Sequence, residues 1–489
     1  MTALPAQPSV LATRRGKLTL VVLCAVAFLD FVDASIVNIA LPEIRADLHM
    51  SVQSLQWIPS GYLLTYGGLM LLGGRAADLL GRRRVLVAGT VLFAAASFAG
   101  GLADSSGALI GARLVQGAGA AMMLPAALSI LTTTFREGGD RVRALGAWGG
   151  MAGLGSAAGV LLGGLLTQSS GWRWVFLIKP PLCVLVLAAI FWLISGDRRQ
   201  AQQGSFDVLG AVLSTAGTLL LVYALVRAPN VGWGSMRTIA ELVGALVLLA
   251  AFAANEQRSR NPLLPLSIFK IRGLAAADVT QLIGVAGFIA MFFFLTLYMQ
   301  DVLGYSPVRT GLAYLPVTAG IGVAAGIVPR LLSRIGTRPV FVAGALIAAS
   351  GIYLLARVPV HGSYLSDVLP GMLIMSIGLG AEFVAATTAA NAGVPPDKAG
   401  LAAALFNASQ QVGGALGLAI FSAIATARTN HLLAAHAAVP NALDAGFHRA
   451  LLVGSIFLLA AAIIALRTTN TRGGPSLAAP QPLPETARR

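Results

Sequence analysis

Charge is the scarcest commodity in this chain. Asp, Glu, Lys and Arg together make up only 11% of its 489 residues, where soluble domains carry about 25%. A chain this long with so few ionic groups is not a soluble globular protein. Cysteine is nearly absent as well: Cys24 and Cys183 each lie in an apolar stretch, which leaves no disulfide framework and no thiolate metal site to expect. The five histidines, His49, His361, His431, His436 and His448, fall in expected outer segments or at helix edges. No H-E-x-x-H, G-x-S-x-G or G-x-x-x-x-G-K-[ST] occurs, so the usual signatures of zinc hydrolysis, serine hydrolysis and direct ATP use are missing. We expect no metal, no cofactor and no enzyme. Acids number 19 against 34 Lys and Arg, a net charge of +15. The basic residues sit in short clusters between apolar runs, without a basic domain or interleaved aromatics, which argues against nucleic acid as a partner.

What the chain has in abundance is apolar length: 56% of residues are hydrophobic and mean hydropathy is +0.79. At about 20 residues per crossing, the sequence predicts helices near 18–41, 55–76, 84–103, 107–131, 142–167, 174–195, 206–227, 237–255, 273–300, 308–332, 338–357, 366–391, 398–427 and 447–467. The expected fold is an all-α polytopic membrane protein with fourteen transmembrane helices. An even number of crossings puts both termini on one side, and most of the Lys and Arg then fall in the loops of that side, which the positive-inside rule assigns to the cytoplasm. The first apolar run follows Arg14, Arg15 and Lys17 but is about 24 residues long and holds two aspartates, so it reads as a retained helix instead of a cleaved leader.

The most informative segment is Gly74-Arg75-Ala76-Ala77-Asp78-Leu79-Leu80-Gly81-Arg82-Arg83-Arg84, a carboxylate, two glycines and a basic cluster between two apolar runs. Its glycines permit a tight reversal at the membrane surface. The spacing resembles the G-x-L-a-D-r-x-G-r-k loop between the second and third helices of the major facilitator superfamily, with Ala76 at the leucine position and Leu79 at the first basic one. The resemblance implies a gating loop built on Gly74, Asp78, Gly81, Arg82 and Arg83; topology-setting charge is the plainer role of the arginines. A weaker second copy runs from Gly326 to Arg338 without the aspartate, as two related six-helix halves would produce.

Helix one carries two acids, Asp30 and Asp33, three residues apart and so on one helix face. Burying both in ionised form is costly, and an exchangeable proton relieves that cost. Asp33 to Pro42 resembles the L-D-x-T-I-V-N-V-A-L-P pattern of the fourteen-helix drug:proton antiporters of the superfamily, with Ser35 for threonine and Asp30 additional. The alternative for either acid is a buried polar group paired with Asn or Ser neighbours. Helix four, from Arg113 through Gln116, Gly117 and Gly119, resembles the superfamily's R-x-x-q-G-x-g-a-a signature. Arg113 keeps its charge and needs an acceptor inside the bundle; it either influences proton movement or anchors an ion pair.

In helix five, Gly155, Gly159 and Gly163 recur every fourth residue, after Gly149 and Gly153 at the same spacing. A face without side chains lets a neighbour approach closely. With Gly164 they resemble the G-P-x-x-G-G antiporter signature, but Val160 replaces the proline, and helix packing is the simpler reading. Gly171 to Ile178 resembles the entrance to helix six of the fourteen-helix branch, departing from it at Lys179 and Pro180, with Trp172 and Trp174 read as interface anchors. Phe206 to Ala211 and Ala399 to Gly417 resemble its seventh and thirteenth helices.

Asp278 in helix nine and Glu382 in helix twelve are further intramembrane acids. With Phe292 and Gln116 they are candidates for a substrate cavity; an exposed helix end is the plainer account of Asp278, and lipid contact that of several aromatics in the set Phe288, Phe292, Phe293, Phe294 and Tyr298. The resemblance implies domains at 1–196 (six helices), 197–270 (inserted helices seven and eight) and 271–470 (six helices), and the Pro, Ala and Gly content of 471–489 reads as a disordered tail. The resemblance also implies a proton-coupled antiporter that exports amphipathic drugs or antibiotics across a bacterial cytoplasmic membrane, a monomer among lipids whose partners are a small molecule and protons. Uptake of a metabolite or lipid flipping on the same fold is the alternative.

Overall fold

The structure, a computed structural model, describes residues 10–135, 139–194, 207–259, 262–271, 273–359, 362–395 and 399–471. The tail beyond 471, the boundary at 196/197, Phe206 and His361 lie outside these residues. All regular structure described is helical. The long helices are α1 (Arg14–Asp47), α2 (Trp57–Leu80), α3 (Arg82–Gly101), α4 (Ser106–Thr134), α5 (Gly139–Ser170), α6 (Arg173–Leu193), α7 (Val208–Val231), α8 (Met236–Arg258), α9 (Leu274–Val302), α10 (Pro307–Ile335), α11 (Thr337–Leu355), α12 (Tyr364–Asn391), α13 (Ala399–Ala434) and α14 (Val439–Ala465). Thirteen are long and apolar enough to cross a membrane. The other, α2, has 24 residues, or about 36 Å, enough for about 30 Å of hydrocarbon. Its apolarity is diluted by Ser60, Tyr62, Thr65 and Tyr66, all buried against protein.

Local chemistry sets the helix starts. Ser105, Asp207, Ser235 and Ser306 each accept a hydrogen bond from the backbone amide three residues on, opening α4, α7, α8 and α10. Gly81 and Gly336, at φ 104° and 91°, make the α2–α3 and α10–α11 reversals, a backbone region that side chains resist. These matched turns are the structural form of the weak repeat. The reversal is tighter than the sequence reading has it, because Gly74 to Leu80 continue α2 and only Gly81 leaves the helix. Likewise α14 begins at Val439, eight residues before the expected start at 447.

Helices α1–α6 pack together, as do α9–α14, while α7 rests on α2, α8 and α13. One apolar cluster joins both six-helix groups at the end away from the arginine-rich turns, uniting Ile39 and Ile44 of α1, Phe176 of α6, and Phe294 and Tyr298 of α9. Toward the arginine end the core divides, with Leu86, Phe135 and Ile190 in one cluster and Leu332, Phe341 and Phe406 in another. The joined end is also tied by polar contacts: Arg45 pairs with Asp301 at 2.9 Å, and Gln300 Nε2 donates to the Ile39 carbonyl at 3.0 Å. At the arginine end, Gly146, Gly149, Gly150 and Gly153 of α5 and Gly322 and Gly326 of α10 have open space where a side chain would stand. Helices α5 and α10 therefore meet at one end and part at the other.

Candidate functional site

Four ionisable side chains meet inside the first six-helix group. Asp33 of α1 accepts at Oδ2 from Arg113 Nη1 at 2.7 Å and at Oδ1 from Gln116 Nε2 at 2.9 Å. Lys179 of α6 also donates to Asp33 Oδ1. Arg113 is fixed further: Nε donates to the Ile58 carbonyl at 3.1 Å, Nη1 to Gln116 Oε1 at 2.8 Å, and its guanidinium lies 4.2 Å over the Tyr62 ring. Desolvated cation–π contacts of this kind are worth about 2 kcal/mol. The fourth member, Asp30, accepts from the Tyr62 hydroxyl at 2.5 Å. Asp33 and Lys179 are fully buried, Arg113 and Gln116 are 1% exposed and Asp30 5%. An unpaired charge here would be very costly, so the pairing is what lets the chain hold these groups.

The backbone makes the meeting possible. One helical turn separates Asp30 from Asp33 and Arg113 from Gln116, which puts each pair on one face. Thr65 Oγ1 donates to the Leu114 carbonyl at 2.7 Å, holding α2 against α4 beside the cluster. Lys179 is a participant that pattern matching passes over as a departure. Its ammonium lies 4.7 Å from the Phe176 ring centroid on the same helix. Gln116, a cavity candidate in the sequence, bonds both Arg113 and Asp33 in this charged cluster.

Asp33 has three donors, two of them cationic, whereas Asp30 has the phenols of Tyr62 and Tyr66. The two acids of one helix thus stand in different surroundings: one neutralised by fixed cations, one served by groups that donate to a carboxylate or accept from a carboxylic acid.

The model of the Major Facilitator Superfamily matches residues 23–418. The chain belongs to that superfamily. It is 40% identical to a puromycin resistance protein of Streptomyces alboniger over 86% of this chain and 84% of that one. To a cephamycin export protein of Amycolatopsis lactamdurans it is 36% identical over 92% of each. In fold it is similar to a bacterial homolog of the human lysosomal transporter Spinster in an inward-facing, unoccupied conformation, with a TM-score of 0.67, 18% identity and coverage of 93% of this chain and 97% of that one. This superfamily member is a multi-pass membrane protein and a secondary transporter, not an enzyme.

The remaining sequence candidates are dispersed across the transporter. Asp78 and Arg82 pair at 3.9 Å across the α2–α3 turn, and Arg83 Nη2 donates to the Phe191 carbonyl at 3.0 Å, so the turn grips α6. Gly155, Gly159 and Gly163 press on α1, where an added Cβ would stand 2.7 Å from Phe31 Cβ, 2.7 Å from Ser35 Cβ and 2.8 Å from the Ile36 carbonyl. Gly164 faces the other way, where a Cβ would stand 2.7 Å from the Pro307 carbonyl of α10. Glu382 and Asp278 belong to the second six-helix group. Asp278 is only 4% exposed, which corrects its reading as an exposed helix end. The aromatics of α9 are also protein contacts: Phe293, Phe294 and Tyr298 are buried, and Phe292 packs on Tyr314 with ring centroids 4.2 Å apart. Trp172 is buried and donates to Asp47 Oδ2 at 2.9 Å, so of the two expected anchors only Trp174 is exposed.

Proposed function

We propose that this transporter exports amphipathic drugs or antibiotics in exchange for protons across a bacterial cytoplasmic membrane, as a monomer among lipids with both termini in the cytoplasm. The buried cluster of Asp30, Asp33, Arg113 and Lys179 carries the proton-coupling half of the reading. The functions of the relatives, puromycin resistance and cephamycin export, support the substrate half. The domain boundaries at 196/197 and 270/271 belong to the same reading, with α7 and α8 as an insertion.

In the state seen, the cleft between α5 and α10 faces the arginine end, which the positive-inside rule makes the cytoplasmic one. Substrate enters there. Asp33 stays neutralised by Arg113 and Lys179 while Asp30 gives up its proton. When the molecule opens to the other side, a proton returns from outside and resets the cluster. The gradient supplies about 2.3 kcal/mol per charge per 100 mV and about 1.4 kcal/mol per pH unit, so one proton drives appreciable accumulation.

The test is efflux from a pump-deficient host and from proteoliposomes, with and without a protonophore. Wild-type protein should lower drug accumulation only while the proton gradient stands, and Asp30→Asn and Asp33→Asn should each abolish that difference. Gradient-driven export that survives in both variants rejects the assignment.

A further inference from the structure

The acid cluster of the first six-helix group has one outlet into the second. Tyr62 and Tyr66 stand a helical turn apart on α2, their ring centroids separated by 5.6 Å, and both are buried. Both phenols donate to the Asp30 carboxyl, Tyr62 at Oδ1 at 2.5 Å. Among the described residues the Tyr62 hydroxyl bonds no other group, and its ring is covered by Arg113. The Tyr66 oxygen has a further partner: it accepts from the side-chain amide of Gln411, on α13. Helix α13 comes this close because α2 has no side chain at Gly67, where a Cβ would be 2.8 Å from Gln411 Cβ and 3.2 Å from the Val412 nitrogen. On another side α13 is pressed as tightly on α9, where a Cβ at Gly413 would collide with the Leu282 carbonyl and one at Gly417 with Ala286. A chain of hydrogen bonds thus runs from Asp30 through Tyr66 to a helix wedged between α2 and α9.

Donor counting gives that chain a direction. Ionised Asp30 only accepts, so both phenols turn their protons to it, and Tyr66 has lone pairs left for the Gln411 amide N–H. Protonated Asp30 carries one O–H that itself needs an acceptor. Its Oδ1 keeps Tyr62, which has nowhere else to donate, so the added proton goes to Oδ2 and is taken by the Tyr66 oxygen. The Tyr66 proton must then find a new acceptor, and the Gln411 carbonyl oxygen supplies it once the amide turns over. Linked hydrogen bonds polarise one another, so the reversal involves the whole chain. The titratable groups acting on Asp30 are Asp33 of its own helix, Tyr62 and Tyr66 of α2 and Arg113 of α4, with Lys179 of α6 held by Asp33; α5 meets α1 with glycine. Among the described residues, only Tyr66 of these bonds to a side chain of the second six-helix group.

We propose that Tyr66 and Gln411 are positioning residues that carry the protonation state of Asp30 to α13, so that the contact between the two six-helix groups changes when the acid exchanges its proton. The proposal rests on the reading of Asp30 as the exchanging acid.

Gly149→Cys on α5, near the arginine end with open space around it, is the reporter. It is labelled with a membrane-impermeant maleimide in inside-out vesicles holding the full-length protein at equal pH on both sides. Dividing each rate by that of glutathione with the same reagent removes the titration of the thiol. The reporter alone should label about fivefold faster in mildly acidic than in mildly alkaline buffer, the low end of coupling between linked sites, because the proton taken up outside is what returns the molecule to its cytoplasmic opening. Gln411→Met, close in shape but without an amide, should make the rate equal at every pH. Tyr66→Phe should do the same from the α2 side, and carries the test if Gln411→Met fails to fold. A merely structural role would scale the rate alike at every pH and leave its slope. If Asp30→Asn removes the slope while Gln411→Met and Tyr66→Phe keep it, the link through α13 is overturned and the role of Asp30 stands. If the reporter alone shows no slope, or Asp30→Asn retains it, the reading of Asp30 falls and the proposal with it.

Discussion

Lys179 shows at the scale of one residue how the charged cluster is balanced. It shares Asp33 with Arg113, so the acid retains a cationic partner if either one is removed. Removing the acid is different, because two buried cations lose their common anion; breaking a buried pair in this way costs about 3–5 kcal/mol. Asp33→Asn should therefore lower thermal stability in detergent more than Lys179→Met does. Asp33→Asn with Lys179→Met should recover part of that loss, since only Arg113 then remains and still has the Ile58 carbonyl, Gln116 and the Tyr62 ring. A double-mutant cycle measures the coupling, and simple additivity of the two losses would dissolve the shared-anion picture. Lys179→Met should also reduce proton-driven export at least tenfold. The sequence makes each of these ionisable groups visible as a charge in an apolar run. It does not reveal their partnership, because Asp33 lies 80 residues from Arg113 and 146 from Lys179, and matching Lys179 to a family pattern registers a mismatch instead of a cation.

Between helices, the fit of α5 against α1 depends on missing side chains. Gly159 touches Ser35, two residues beyond Asp33. Gly159→Leu puts a branched side chain where even a Cβ would be 2.7 Å from Ser35 Cβ and 2.9 Å from the Val32 carbonyl. Overpacking costs about 1–3 kcal/mol where the neighbour yields, and a helix backbone yields little. The variant should give several-fold less monodisperse protein on size-exclusion chromatography and no measurable export. On the same helix an added Cβ at Gly149 meets nothing within 4 Å, and Gly149→Leu should match wild type in yield; equal yields for the two variants would remove the contact from the account. The four-residue glycine period is legible from the sequence, but not that Gly164 turns to α10 while its three companions face α1. Exposure was also misread at this scale: Trp172 and the α9 aromatics look like lipid contacts by type, yet burial depends on which face a neighbouring helix covers, and periodicity cannot name the neighbour.

For the whole molecule, the outer contacts should set the balance between the two openings. Arg45 and Asp301 join α1 to α9 across the closed end, with side chains 24% and 15% exposed, so the bond is partly screened and worth about 1 kcal/mol. Its loss should move the equilibrium between the two openings about fivefold toward the outward one. Both native cysteines, Cys24 and Cys183, are buried, which leaves a quiet background for a reporter. Gly149→Cys sits near the arginine end of α5 with open space around it, and a membrane-impermeant maleimide applied to the cytoplasmic face of inside-out vesicles should label it readily. Adding Asp301→Asn should slow that labelling, by at most about fivefold, and Arg45→Gln should do the same, because both changes free the closed end without touching the reporter. Putting the maleimide on the opposite face should label no Gly149→Cys protein in either background. If instead labelling from the cytoplasmic face is unaffected by both substitutions, the pair is incidental and the closed end is held by the shared apolar cluster of Ile39, Ile44, Phe294 and Tyr298 alone.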